Sequence, residues 1–216
     1  MAHNDIPWLR WGIYFAGLFV MSFGIVLTIR ADVGCAPWDV LHIGLQRQFG
    51  LTIGAWSIIV GMGVLAASAL LVKQRPRLGA FLNMVTVGML IDGWMMIPQL
   101  KTPEQPLEQY ALLMAGIIVS GYGMGLYISA GVGAGPRDSL MLALTELTRW
   151  KVAYIRIGME ALVLLVGWLL GGPVSFGTLL FCVTIGSVAG LALPQCQKMT
   201  GRLLGTTIVR VQGLSR

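Results

Sequence analysis

The fold is decided by Gly24–Leu45, GIVLTIRADVGCAPWDVLHIGL, because this stretch occurs twice in the chain. Shifted by 99 residues, Gly123–Leu144 reads GMGLYISAGVGAGPRDSLMLAL, and ten of the 22 positions are identical. A second match follows at a shift of 98, where Gly79–Gly88 reads GAFLNMVTVG and Gly177–Gly186 reads GTLLFCVTIG. The sequence therefore predicts two copies of one structural unit.

The composition indicates an integral membrane protein. Of the 216 residues, 56% are hydrophobic and only 11% are charged, whereas a soluble domain carries about 25% charged residues. About 20 apolar residues cross a bilayer core, and lipid requires each crossing segment to be helical. We predict an all-α protein in contact with the lipid bilayer. Its six transmembrane helices are Trp8–Ile29, Leu51–Val72, Leu78–Pro98, Leu107–Ser129, Val152–Gly171 and Phe176–Leu193.

Each copy also contains one short, polar helix that does not span the membrane, at residues 37–49 and 136–149. The first repeat is expected to occupy residues 1–98 and the second residues 107–195. An outer loop, 99–106, connects them, and a basic cytoplasmic tail covers residues 196–216.

Lysine and arginine residues predict the orientation of the spans. With both termini inside, 12 of the 15 fall on the cytoplasmic side and three on the outer side, which matches the usual excess of positive charge in cytoplasmic loops. Three spans in each repeat force the second copy to run upside down. Inverted repeats are common in secondary transporters, although a duplicated scaffold without transport activity has the same symmetry.

A repeated Gly-x-x-Pro-x-Asp motif is predicted to begin both short helices. Proline suits the first helical position, glycine permits a turn before it, and an acid in the first turn complements the helix dipole. If these helix starts lie inside the membrane, their aspartates could instead hold a proton or ligand. The motif stands at Gly34, Pro37 and Asp39, and again at Gly133, Pro136 and Asp138.

Other ionisable residues are further candidates for a substrate or proton site. Glu160 and Asp92 lie within predicted spans, where an acid is costly and often functional. Arg156 lies one turn before Glu160 on the same helix face, so the two can form an ion pair. Arg137, beside Asp138, can bind an anionic group. The alternative for the two acids is a structural ion pair or hydrogen bond between helices.

No pattern in the sequence predicts an enzyme. Three scattered cysteines and two histidines, His3 and His42, supply no metal-ligand spacing. We see no catalytic constellation, no glycine-rich phosphate loop after a strand and no sign of nucleic-acid binding. We therefore expect no catalytic residues, no metal and no cofactor.

The motif sequences resemble the YczE/YitT-like family of bacterial multipass membrane proteins. The resemblance lies in GCAPWDVL at 34–41, GAGPRD at 133–138, and Arg156 and Glu160 followed by GWLLGG at 167–172, and it extends over residues 10–195. It implies a multipass protein of the bacterial cytoplasmic membrane. Effects on secondary-metabolite output, attributed to parts of that family, imply that a regulatory role is one alternative.

The favoured functional prediction is a small-solute transporter or exporter, with proton coupling as one way of driving it. The corresponding hypothesis is that Asp39, Asp138 and Arg137 line a central cavity and that Glu160 is the group that takes up and releases the proton. The alternative is a non-transporting accessory or regulatory membrane protein. Such a protein would act through a membrane or cytoplasmic partner, and homo-oligomerisation is compatible with either function.

Overall fold

The computed structural model describes residues 7–73, 78–133 and 135–204, and this part of the chain consists of helices and their connecting loops, without strands. Six of its helices are long and apolar enough to cross a membrane, which confirms the predicted all-α multipass class. The helices are α1 (Pro7–Arg30), α2 (Pro37–Phe49), α3 (Ile53–Val72), α4 (Leu78–Met95), α5 (Pro106–Ser129), α6 (Pro136–Thr148), α7 (Val152–Leu169) and α8 (Phe176–Leu204).

The last helix differs from its predicted length. The span was expected to end at Leu193, before a separate tail, but α8 continues past Pro194 to Leu204. A proline inside a helix removes one backbone hydrogen bond without always ending the helix. Cys196, Thr200 and Leu204 are buried on this extension, so packing holds the additional turns in place. Residues 205–216 of the predicted tail lie outside the described residues.

Helices α1 and α5 form the centre of the bundle through glycines in close contact. Positions rise along α1 while they fall along α5, so these two repeat-related helices run antiparallel. A Cβ atom at any of the four glycines would collide with the residue opposite, so the two backbones approach closely there. The contacts are Gly17 with Tyr127, Met21 with Gly123, Gly24 with Ser120, and Thr28 with Gly116.

Each of these contacts has a counterpart at the repeat-related positions of the other helix. Adding 99 to the first number of the pair Gly17–Tyr127 and subtracting 99 from the second gives Gly116–Thr28, which is also a contact. Helix packing follows the same rule, because α2 packs on α7 as α6 packs on α3, and α1 packs on α4 as α5 packs on α8. The two halves thus make equivalent contacts with each other.

One pair of helices breaks this equivalence. Helices α3 and α4 are tightly packed, because a Cβ at Gly54 would collide with Gly88, and one at Gly61 would lie 2.7 Å from Met84 Cγ. The corresponding helices α7 and α8 make hardly any contact within the described residues. The second half is therefore open where the first half is closed.

Candidate functional site

The first turns of both short helices meet at the centre of the protein. Helix α2 begins at Pro37 and α6 at Pro136, each after a residue with extended backbone. Gly34 has a φ of 107°, which favours glycine, and a Cβ there would lie 2.5 Å from the backbone nitrogen of Thr178. Gly133 packs against Gly79 on α4. The repeated motif therefore turns the chain into α2 and α6.

A cavity of about 200 Å³ lies between these helix starts. Almost every lining residue has its repeat partner in the lining as well, including the pair Asp39 and Asp138 and the pair Gly61 and Glu160. Five of the six ionisable residues singled out in the sequence line it. These are Asp39, Arg137, Asp138, Arg156 and Glu160.

Asp39 and His42 form the most deeply buried polar pair of the cavity, each 2% exposed. His42 Nδ1 is 3.8 Å from Asp39 Oδ1, which is too long for a hydrogen bond, and Nδ1 has no hydrogen-bond partner among the described residues. Burial lowers the pKa of His42, an effect that Asp39 opposes. The imidazole is therefore neutral at pH 7.

Arg137 lies across the cavity on α6. Its guanidinium carbon is 4.6 Å from the ring centre of Trp38, a cation–π distance, and it forms no ion pair or hydrogen bond with the described residues. Trp38 and Arg137 occupy equivalent positions of the two repeats. The charge of Arg137 thus lines the cavity, and the described residues provide its guanidinium with an aromatic contact but with no hydrogen-bond acceptor.

Asp138 neighbours Arg137 but is held by other groups. The Tyr127 hydroxyl donates to Asp138 Oδ2 at 3.4 Å. Burial raises the pKa of the Asp138 carboxyl above its ordinary value, and the backbone of Gly135 and the charge of Arg137 oppose that rise. Asp138 therefore takes up a proton more readily than an ordinary aspartate does.

Arg156 and Glu160 form the predicted ion pair on α7. Arg156 Nε donates to Glu160 Oε1 at 3.1 Å, and the two side chains are 49% and 31% exposed. Both also line the cavity, together with Phe181 and Ile185 of α8. The lining of the cavity therefore reaches the surface of the helix bundle at α7, on the side where α7 and α8 leave a gap.

Sequence analysis missed several polar lining residues. Asn83 on α4 is 7% exposed, and its buried Nδ2 atom has no hydrogen-bond partner in the part of the chain that the structure describes. His42 was considered only as a metal ligand, and Trp38 and Tyr127 were not considered as site residues. The repeat held one usable signal, since Trp38 and His42 lie within the first turns after Pro37 and replace Arg137 and Met141 of the second copy.

Asp92 is the one candidate that the structure separates from the cavity. Its Oδ2 atom accepts a hydrogen bond from Thr52 Oγ1 at 2.6 Å, and its Oδ1 atom accepts one from the Gly54 backbone at 2.8 Å. Both donors belong to the N-terminus of α3, where free backbone N–H groups need acceptors. Asp92 thus ties the end of α4 to the start of α3.

The comparison with known proteins places the chain in a family. A family model described as "Family of unknown function (DUF6198)" matches residues 8–194. The chain belongs to the DUF6198 family. This match and the relatives below confirm the predicted YczE-like resemblance. No solved structure matches the chain.

Relatives of this DUF6198 protein cover most of its length. It is 44% identical to "Uncharacterized membrane protein YczE" of Bacillus subtilis (strain 168), over 87% of this chain and 86% of that protein. It is 27% identical to "Uncharacterized protein YyaS" of the same strain, over 86% and 93% of the two chains. An "Uncharacterized protein" of Haemophilus influenzae is 33% identical, over 79% of this chain and 77% of its own.

Proposed function

We propose that this DUF6198 protein is a small-solute transporter that binds its solute in the central cavity. The observation that carries the proposal is the position of the cavity, which is lined by equivalent residues of both repeats. Binding sites of inverted-repeat transporters lie at the interface between the repeats, near interrupted or short helices. A cavity that reaches the surface of the helix bundle at Glu160 supports transport over an accessory role, because a transported solute needs an entry path.

The unequal halves support alternating access. In the first half, α3 closes on α4, whereas in the second half α7 stands away from α8. If α7 packed against α8 while α3 moved away from α4, the opening in the second half would close and an equivalent opening would form in the first half. An inverted repeat converts that exchange into access from opposite sides of the membrane.

The proposal includes an inverted orientation in the bacterial cytoplasmic membrane with both termini inside. The antiparallel contacts of α1 and α5 support it, as does the lysine and arginine bias. We expect a cysteine at Arg47 to react with a membrane-impermeant maleimide added to whole cells. A cysteine at Arg149 should react only after the cells are opened. Both variants belong in a background without Cys35, Cys182 and Cys196, and labelling of both sites from one side would contradict the inversion.

Glu160 is the proposed proton-titrating group. It lines the cavity, and it is paired with Arg156 on its own helix. Its equivalent in the first half is Gly61, so the carboxylate belongs to the open half alone. A carboxylate in this position can carry a proton between the two sides when the halves exchange.

We expect Glu160→Gln to abolish the pH dependence of solute uptake, because an amide does not titrate. A thermal-stability screen against metabolite pools first identifies a solute, since a ligand that binds the native state raises the melting temperature. Uptake into proteoliposomes is then measured with and without an imposed pH gradient. Retention of gradient-driven uptake by Glu160→Gln would remove the proton-carrying role.

Asp92→Asn provides the matched control. The same chemical change at Asp92 weakens the attachment of α3 to α4 and should lower the melting temperature, because a hydrogen bond to a charged group contributes at most about 1.5–3 kcal/mol. Its uptake should keep the pH dependence of the parent protein.

A further inference from the structure

The cavity is lined by two sets of polar groups with opposite chemistry, and each set includes one buried atom that has no hydrogen-bond partner among the described residues. One set consists of hydrogen-bond donors, namely the Arg137 guanidinium and Asn83 Nδ2. The other set is centred on the Asp39 carboxylate and His42 Nδ1. Buried polar atoms without partners are rare in native structures and require an explanation. A bound ligand that carries complementary groups supplies one.

We infer that the cavity binds a small zwitterion of the α-amino-acid class. Its carboxylate lies against Arg137 and Asn83. Its ammonium lies between Asp39 and His42. This inference deepens the transport function proposed above and rests on it.

The donor side fits a carboxylate. A guanidinium offers parallel N–H groups that match the two carboxylate oxygens. Asn83 lines the same cavity from α4, and its buried Nδ2 atom can donate a further hydrogen bond to a carboxylate oxygen. The first turns of α2 and α6 line the same space, and helix N-termini favour negative groups.

The acceptor side fits an ammonium. The neutral imidazole of His42 accepts a hydrogen bond at Nδ1 when its proton is on Nε2. Asp39 Oδ1 is 3.8 Å away, so a single ammonium group can donate one hydrogen to each of the two atoms. The same ammonium neutralises the buried Asp39 charge, which would otherwise be costly.

The two subsites are neighbours. The guanidinium carbon of Arg137 is 4.6 Å from the ring centre of Trp38, the residue that immediately precedes Asp39. Both subsites line the same cavity. A ligand with both charges on adjacent atoms can therefore contact both subsites. Arg156 and Glu160 form an ion pair with each other, so together they add no net charge to either subsite. A singly charged ligand would satisfy one subsite and leave the other without a partner.

The rest of the cavity indicates the size and nature of the side chain. Its volume of about 200 Å³ is below the range of about 300–1,000 Å³ that is usual for drug-sized ligands. Methionines are flexible and adapt to different apolar shapes. Five of them line the cavity, Met21, Met84, Met124, Met141 and Met159. A small apolar side chain therefore suits the cavity.

The test compares four molecules that share one side chain and differ only in charge. These are leucine, leucinamide as the cation, 4-methylpentanoate as the anion and 4-methylpentanamide as the neutral form. A second series is built on methionine. Binding to the purified protein in detergent is measured by calorimetry and by the shift in melting temperature. We expect an amino acid to bind about 10- to 100-fold more tightly than any of its three analogues, because each lacks a charged partner for one subsite or for both.

Two variants assign the subsites. Arg137→Gln should bind leucine no more tightly than leucinamide, but should still bind leucine more tightly than 4-methylpentanoate. Asp39→Asn should bind leucine no more tightly than 4-methylpentanoate, but should still bind it more tightly than leucinamide. If Arg137→Gln does not fold, Arg137→Lys retains the charge without the planar fork, and we expect weaker binding with an unchanged order of preference. The inference is overturned if neither amino acid binds, or if a singly charged analogue binds as tightly.

Uptake into proteoliposomes separates this inference from the proposed function. Amino-acid binding without uptake would leave the ligand class standing and remove the transport function. Uptake of a different solute, without amino-acid binding, would leave transport standing and overturn the ligand class.

Discussion

Gly24→Leu should eliminate the folded protein. A Cβ atom at Gly24 would collide with the backbone of Ser120 and would lie 2.8 Å from the Gly116 carbonyl oxygen. Backbone atoms cannot rotate away as a side chain can, so α1 and α5 would have to separate. Overpacking of a core costs about 1–3 kcal/mol even where side chains can shift, and the cost here should exceed that range. The measurement is the yield of monodisperse protein and its melting temperature in detergent.

The chain supplies both a repeat-related test and a control for this substitution. Gly123→Leu should be equally damaging, because Gly123 meets Met21 in the equivalent contact. Gly63→Leu should be harmless, because a Cβ at this exposed position on α3 has no neighbour within 4 Å. Normal folding of Gly24→Leu would mean that α1 and α5 do not cross where the structure places them.

Hydrophobicity and the repeat were enough to predict most of the fold. Each apolar stretch could satisfy its backbone hydrogen bonds only as a helix, and the prolines at 37 and 136 marked the starts of the short helices. The end of α8 was not predictable, because burial of Cys196 and Leu204, rather than local sequence, carries the helix past Pro194. The gap between α7 and α8 was also hidden, since the sequence suggested the same packing in both halves.

The candidate site was predictable only in part, for a related reason. Ionisable residues in apolar surroundings are conspicuous in a sequence, and this identified Asp39, Arg137 and Glu160. Asn83 gave no such signal, because an amide within a span is common as a helix-packing residue. Only the three-dimensional arrangement shows that its Nδ2 atom is buried and that no described residue forms a hydrogen bond with it. Asp92 gave a strong signal, yet its carboxylate is held by the start of α3.

Trp38→Arg should be strongly destabilising, and a second substitution should rescue it. Trp38 is 7% exposed and stacks on the Arg137 guanidinium. An arginine in its place sets two positive charges face to face, which costs about 4 kcal/mol at a separation near 4.6 Å and an effective dielectric constant of about 20. Arg137→Trp alone removes the positive charge near Asp39 and Asp138, and should also lower the melting temperature.

The double variant, Trp38→Arg with Arg137→Trp, exchanges the two side chains between equivalent positions of the repeats. If those positions are related by a twofold axis through the cavity, the exchange restores the stacked pair with its members reversed. We therefore expect the double variant to recover most of the stability that each single change removes, with a coupling well above 1 kcal/mol in a double-mutant cycle.

Exchange of another repeat-related pair in the lining, Ile25→Met with Met124→Ile, is the matched control. It contains no charge and keeps the volume, so each change should cost less than about 1.5 kcal/mol and show little coupling. Strictly additive losses at Trp38 and Arg137 would mean that the two side chains do not face each other across the axis. The proposed twofold symmetry of the cavity would then lack support from stability measurements. Among the described residues, no other pair of equivalent positions brings a charge and an aromatic ring together.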